Sequence, residues 1–156
     1  MVTLEPMSGE IWTQWRASAV RGYAADKVRV GHWTPEEAET RAEREFATLL
    51  PEGLESPGQH VRSIVDEGGT VVGILWFGPH DAADPGLCFI WDIEVFAEAR
   101  GHGHGRDALA ALEPIARDLG FDAIGLHVFG DNTVARHLYL SSGYEETDVS
   151  MRKSLR

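Results

Sequence analysis

The chain of 156 residues carries 14 Lys and Arg against 25 Asp and Glu, a formal net charge of −11, with 43% hydrophobic residues. That acidity argues against nucleic acid and anionic membrane as partners and favours cationic ligands. The single cysteine, Cys88, forbids an intrachain disulfide, no run approaches the roughly 18 apolar residues of a membrane span, and no signal-peptide pattern opens the chain. The expectation is a cytoplasmic protein with one domain over residues 1–156.

Val2–Glu5 alternates and reads as a first strand. Ile11, Trp12, Trp15, Ala19 and Tyr23 then fall on one helical face. Thr34-Pro35-Glu36-Glu37 is a capping box with proline at the first helical position, and Ala38, Ala42, Phe46, Leu49 and Leu50 continue that helix until Pro51 and Gly53 close it. His60–Asp66 and Val71–Phe77 are strand-like, and Glu67-Gly68-Gly69-Thr70 joins them as a hairpin. A polar loop, Gly78–Gly86, precedes a long strand at Leu87–Phe96, whose apolar start makes Cys88 a buried structural thiol.

Residues 99–112 read ARGHGHGRDALAAL. Three alternating glycines open onto a helix with apolar Ala108, Leu109, Leu112, Ile115, Ala116 and Leu119. A strand at Ala123–Phe129, a short helix from Asn132 to about Ser141, and a last strand or strands within Tyr144–Lys153 complete the chain. The order β-α-α-β-β-β-α-β-α-β predicts an α/β fold: a mixed, mostly antiparallel sheet of six to seven strands with helices on both faces.

A glycine-rich helix start offers unpaired N–H groups and a partial positive charge, so it suits an anion. A P-loop needs Lys-Ser/Thr where Arg106-Asp107 stands. Gly103, Gly105 and Ala108 meet the dinucleotide spacing G-x-G-x-x-A, but only 27 residues follow Phe129, too few for further strand–helix units. The third scheme is Arg100-x-x-Gly103-x-Gly105 between a strand and a helix.

Here the sequence resembles the GNAT superfamily of N-acetyltransferases. The resemblance rests on Val95-Phe96-Ala97-Glu98-Ala99-Arg100-Gly101-His102-Gly103-His104-Gly105-Arg106, then Leu126-His127-Val128, Asn132, Ala135, Leu138-Tyr139 and Gly143-Tyr144. It implies that acetyl-CoA lies between two parallel strands that splay apart. Its pyrophosphate would meet the amides of Arg100, Gly101, His102, Gly103, His104, Gly105 and Arg106, and its pantetheine would pair with the backbone of Ile93–Val95. Asn132, equally explained as a helix N-cap, falls near the pantetheine in the family. Tyr139, equally explained as a packed aromatic, matches a tyrosine that returns a proton to the departing thiolate.

His127 occupies a position where some relatives carry a glutamate base and is the expected base, with Asp92 and Glu94 on the preceding strand as rivals. Tyr23, Trp33 and Trp76 are candidate acceptor walls beside Asp92, although tryptophan at such positions also serves a core. His102 and His104 lack a third ligand nearby, so no metal is expected. The implied activity is direct transfer of acetyl from acetyl-CoA to a primary amine, on a small molecule or a peptide. The rival reading is a catalytically silent CoA-binding sensor. The acceptor stays unnamed, and a homodimer stays open.

Overall fold

The computed structural model describes all 156 residues. Strand β1 (Thr3–Pro6) leads into helix α1 (Gly9–Arg29), and α2 (Pro35–Leu49) follows. Ser8 caps α1 by accepting the Ile11 N–H at 3.3 Å, and Glu37 reaches back to the Thr34 N–H at 3.4 Å, as the capping box requires. A 3₁₀ turn at Gly53–Glu55 precedes β2 (His60–Val65) and β3 (Val71–Gly78). Asp66 fixes their hairpin by accepting the N–H groups of Gly68 and Thr70, both at 2.9 Å.

Strand β4 (Leu87–Val95) is followed by a 3₁₀ turn at Ala97–Ala99, then α3 (His104–Asp118), β5 (Ala123–Leu126) and α4 (Thr133–Ser141). The five strands form one sheet in chain order, β1-β2-β3-β4-β5, antiparallel except for the parallel pair β4 and β5. Helices α1 and α2 cover one face, where Trp15, Phe46, Ile74 and Trp76 meet. On the other face α3 packs Ala108, Leu109 and Leu112 against Leu75, Phe77, Cys88 and Ile90, with Leu138 and Tyr139 of α4 beside them. No helix is long and apolar enough to cross a membrane.

Two sequence expectations are corrected. The strand expected over Ala123–Phe129 ends at Leu126, because its last partner is Ile90 and β4 carries an irregularity immediately beyond. The register against β3 steps from Phe77↔Ile90 to Trp76↔Asp92, which leaves Trp91 as an extra, bulged residue. Such a bulge bends and twists its strand, so β4 departs from β5 at that point and residues 127–129 have nothing to pair with.

The second correction is the strand expected within Tyr144–Lys153, so the sheet has five strands rather than six or seven. Tyr144 packs into the core beside Tyr139, but the run after it opens with Glu-Glu-Thr-Asp, which favours neither strand nor burial. Val149, Met151 and Leu155 remain exposed.

Candidate active site

The parallel pair β4 and β5 holds register from Leu87↔Ala123 to Ile90↔Leu126 and then opens into a wedge. Phe96 donates its N–H to the Val72 carbonyl at 2.8 Å, which marks the even-numbered residues of this stretch as those bonded to β3. Bonding alternates along an antiparallel ladder, so the peptide groups of Ile93 and Val95 face the edge that β5 has vacated. The Arg100 guanidinium Nε donates to the Val95 carbonyl at 3.1 Å and anchors the mouth of that edge.

The glycine turn sits beside the wedge. Gly101 and Gly103 hold φ of +84° and +78°, a region other residues seldom adopt, and Gly103 is the N-cap of α3. The Asp107 N–H is the first in α3 to find a carbonyl, that of Gly103 at 3.0 Å. The amides of residues 101–106 donate to no oxygen of the chain and form a nest at the positive end of a 15-residue helix. The Arg100 amide is instead turned to the Ala97 carbonyl at 3.4 Å. Arg106 ties α3 to α4 through the Ser141 carbonyl and hydroxyl, at 3.2 and 2.9 Å. His102 and His104 stack with ring centres 5.7 Å apart, and the Ala99 carbonyl meets His102 Nδ1 at 3.3 Å.

Asn132 spends its side-chain oxygen on the Ala135 N–H at 3.2 Å, so it caps α4. Tyr139, on the same helix, makes no hydrogen bond through its hydroxyl and leans on Tyr144 at 5.9 Å between ring centres. Burial first, and then the charge of Asp92, pushes the Tyr139 hydroxyl up to about 12. Asp92 is thus near enough for its charge to act on the Tyr139 hydroxyl, although the tyrosine ring packs on the α3 side of the sheet.

Asp92 pairs with Trp76 and Glu94 with Ile74, so both carboxylates lie on the α1/α2 face. Trp15 Nε1 donates to Asp92 Oδ2 at 2.9 Å. Burial raises the Asp92 carboxyl to about 6; the Trp15 bond opposes that rise, whereas the charges of Glu94 and Asp26 add to it. A Cβ at Gly73 would collide with the Glu94 carbonyl oxygen, so glycine there lets β3 approach β4 where the two carboxylates sit.

His127 lies past the end of β5 and is exposed, in edge-to-face contact with Phe129. Partial burial of its ring and the charges of Lys27 and His32 lower its pKa, and Phe129 links it to Arg29 at the end of α1. Tyr23 donates its hydroxyl to Glu45 at 2.7 Å and stacks edge-on against Trp33. Trp33 and Trp76 are buried, and Trp76 donates to Gln59 at 2.9 Å, so both serve the core behind the site. Burial raises the Cys88 thiol to about 11, which removes it as a nucleophile.

Sequence reasoning missed Trp15 and Asp26 as partners of Asp92. Trp15 was legible only as one residue of an apolar helical face, and 77 positions separate it from the carboxylate it touches.

A five-stranded mixed sheet with an opened parallel pair and a glycine nest at its mouth defines an acyltransferase architecture, and the chain belongs to the acetyltransferase (GNAT) family, whose family model matches residues 20–144. It is similar to the uncharacterized N-acetyltransferase YycN of Bacillus subtilis (strain 168), 38% identical over 154 residues and covering 99% of each chain. The crystal structure of YycN superposes with a TM-score of 0.90 over 100% of this chain and 99% of that one. YdgE, a further uncharacterized N-acetyltransferase of the same organism, is 32% identical over 98% of each chain. The fold also matches AAC(6')-Iy, solved with a CoA-containing bisubstrate analogue, at a TM-score of 0.60 and 17% identity over 100% of this chain and 99% of that one.

Proposed function

We propose that the chain transfers the acetyl group of acetyl-CoA directly to a primary amine. The observation that carries this reading is the wedge between β4 and β5: it joins an outward-facing strand edge at Ile93 and Val95 to the amide nest of residues 101–106. The donor set fits acetyl-CoA. The nest suits a pyrophosphate, and the strand edge suits an amide-bearing arm laid along it. Acetyl-CoA supplies an activated thioester; the chain must orient it, receive the amine proton and support the leaving sulfur.

On the acceptor side, Glu94 and Asp26 add negative charge around Asp92, whose own charge reaches the Tyr139 hydroxyl. An ammonium is drawn there, and Asp92 accepts its proton as the nitrogen attacks. Tyr139 holds a proton ready for the thiolate. His127, exposed beyond β5 and joined through Phe129 to the end of α1, is the rival of Asp92 for the ammonium proton.

Release of free thiol from acetyl-CoA, measured with primary amines, alcohols and anionic amino acids, tests the reading. Cationic amines should be turned over fastest. Binding of acetyl-CoA with no amine-dependent release would replace this reading with that of a CoA-binding sensor.

Gly103→Val probes the cosubstrate side. Nothing crowds a side chain at this position, but the φ of +78° cannot be held by a β-branched residue without strain. The nest should distort and acetyl-CoA affinity should fall at least about tenfold, roughly 1.4 kcal/mol by calorimetry. Unchanged affinity in a folded variant would remove the nest from the site.

A further inference from the structure

We propose that Trp15 is a positioning residue of the active site: its indole N–H holds the Asp92 carboxylate in the orientation that receives the acceptor's proton. This rests on the acetyl-transfer reading. The bond joins α1 to β4, Trp15 Nε1 to Asp92 Oδ2 at 2.9 Å.

The donor is rigid. Trp15 is 3% exposed and is clamped by Trp12, Phe46 and Trp76, with ring centres at 5.6, 6.2 and 5.8 Å. An indole wedged in this way cannot turn its N–H elsewhere, so the direction of one Asp92 oxygen is set by the aromatic core. Oδ2 is the oxygen the indole engages, so the carboxylate plane is fixed from the core side. An indole donates and cannot accept, so it can take no proton from the carboxyl and supports its ionised form.

Packing alone would not place a donor here. Tryptophan at the centre of an aromatic cluster buries the same area with its N–H turned toward any acceptor, as Trp76 does toward Gln59 at 2.9 Å. Trp15 instead selects a carboxylate on the strand next to Trp76, one surrounded by like charge from Glu94 on its own strand and Asp26 on α1. Without the indole, no side-chain donor opposes those charges.

The test is Trp15→Phe, with Trp12→Phe as the control that disturbs the same cluster and leaves the donor. Loss of one hydrogen bond to the charged form should move the acidic limb of the kcat/KM profile about one pH unit upward in Trp15→Phe. The limb should stay in place in Trp12→Phe. Carbon-13 NMR titration of the Asp92 carboxyl, assigned with Asp92→Asn, should show the same upward shift in the unliganded chain. A limb that stays put in folded Trp15→Phe, a carboxyl midpoint that does not move, or an equal shift in Trp12→Phe each overturns the proposal. If the wild-type chain turns over no amine, the acetyl-transfer reading falls, and the NMR midpoint still decides whether Trp15 governs Asp92.

Discussion

Tyr139→Phe should lower kcat by roughly 10²–10⁴, the span of general acid catalysis, while acetyl-CoA affinity measured by calorimetry stays within about twofold. A CoA thiol has a reference pKa near 8.5, so its thiolate leaves more readily when a neighbouring hydroxyl shares or returns a proton. Tyr139 is suited to that task because burial and the charge of Asp92 push its hydroxyl up to about 12. It is fully protonated wherever the enzyme works, and it has no competing hydrogen bond within the chain. The substitution removes one oxygen and keeps the ring against Tyr144 and the α3-side core. A folded variant with kcat within about threefold of the parent would show that the hydroxyl takes no part.

Asp92→Asn should produce the second large effect, a fall of about 10² or more in kcat/KM together with loss of the acidic limb near pH 6. An amine with a reference pKa of about 10.4 leaves roughly one molecule in 2,500 neutral at pH 7, so a proton acceptor beside it matters. Asp92, raised to about 6 by burial first, is ionised above that pH and protonated below it, and the rate should fall as acid fills the site. His127 provides the comparison. His127→Ala should leave the limb in place, and a limb that vanishes there but survives in Asp92→Asn would make the histidine the base.

Stability supplies an independent check on this variant. The folded-state pKa of Asp92 lies above the reference value of about 3.9, so the folded chain binds this proton more tightly than the unfolded one. Ionisation of Asp92 therefore erodes stability as pH rises from about 4 to about 6, and the loss persists at pH 7. Asparagine carries no charge to desolvate and still offers Trp15 an oxygen. The variant should thus be more stable at pH 7, by on the order of 2 kcal/mol in denaturant titration. A loss of activity accompanied by a gain in stability cannot be ascribed to unfolding.

Local signals in the sequence located most of the fold. The capping box at Thr34, the Asp66 hairpin, and the apolar spacing of residues 108–119 each specify an element through neighbours only a few positions apart. The glycine nest was legible for the same reason, since positive φ at Gly101 and Gly103 is a local demand. The missing final strand shows where such reading stops: Tyr144–Lys153 was expected to supply a strand, but pairing depends on an edge in space, and its opening acidic run leads the chain away from burial. The Trp15–Asp92 bond was illegible because helix α1 reads the same whichever carboxylate its indole finds. Residue type left Trp33 and Trp76 open between a binding wall and the core, and only the folded chain shows that both are buried.

The single extra residue at Trp91 has a consequence for how β4 divides its labour. Before it, the even-numbered Cys88 and Ile90 point into the core beneath α3; after it, the odd-numbered Ile93 and Val95 do so. The strand thus changes phase midway, and that inversion carries Asp92 and Glu94 to the α1/α2 face without putting a carboxylate under α3. Removing one residue at this point would restore strict alternation and exchange the two sets. The chemistry of the face therefore depends on a count of residues as much as on their identity, and length variation in β4 would be less tolerated than most substitutions within it.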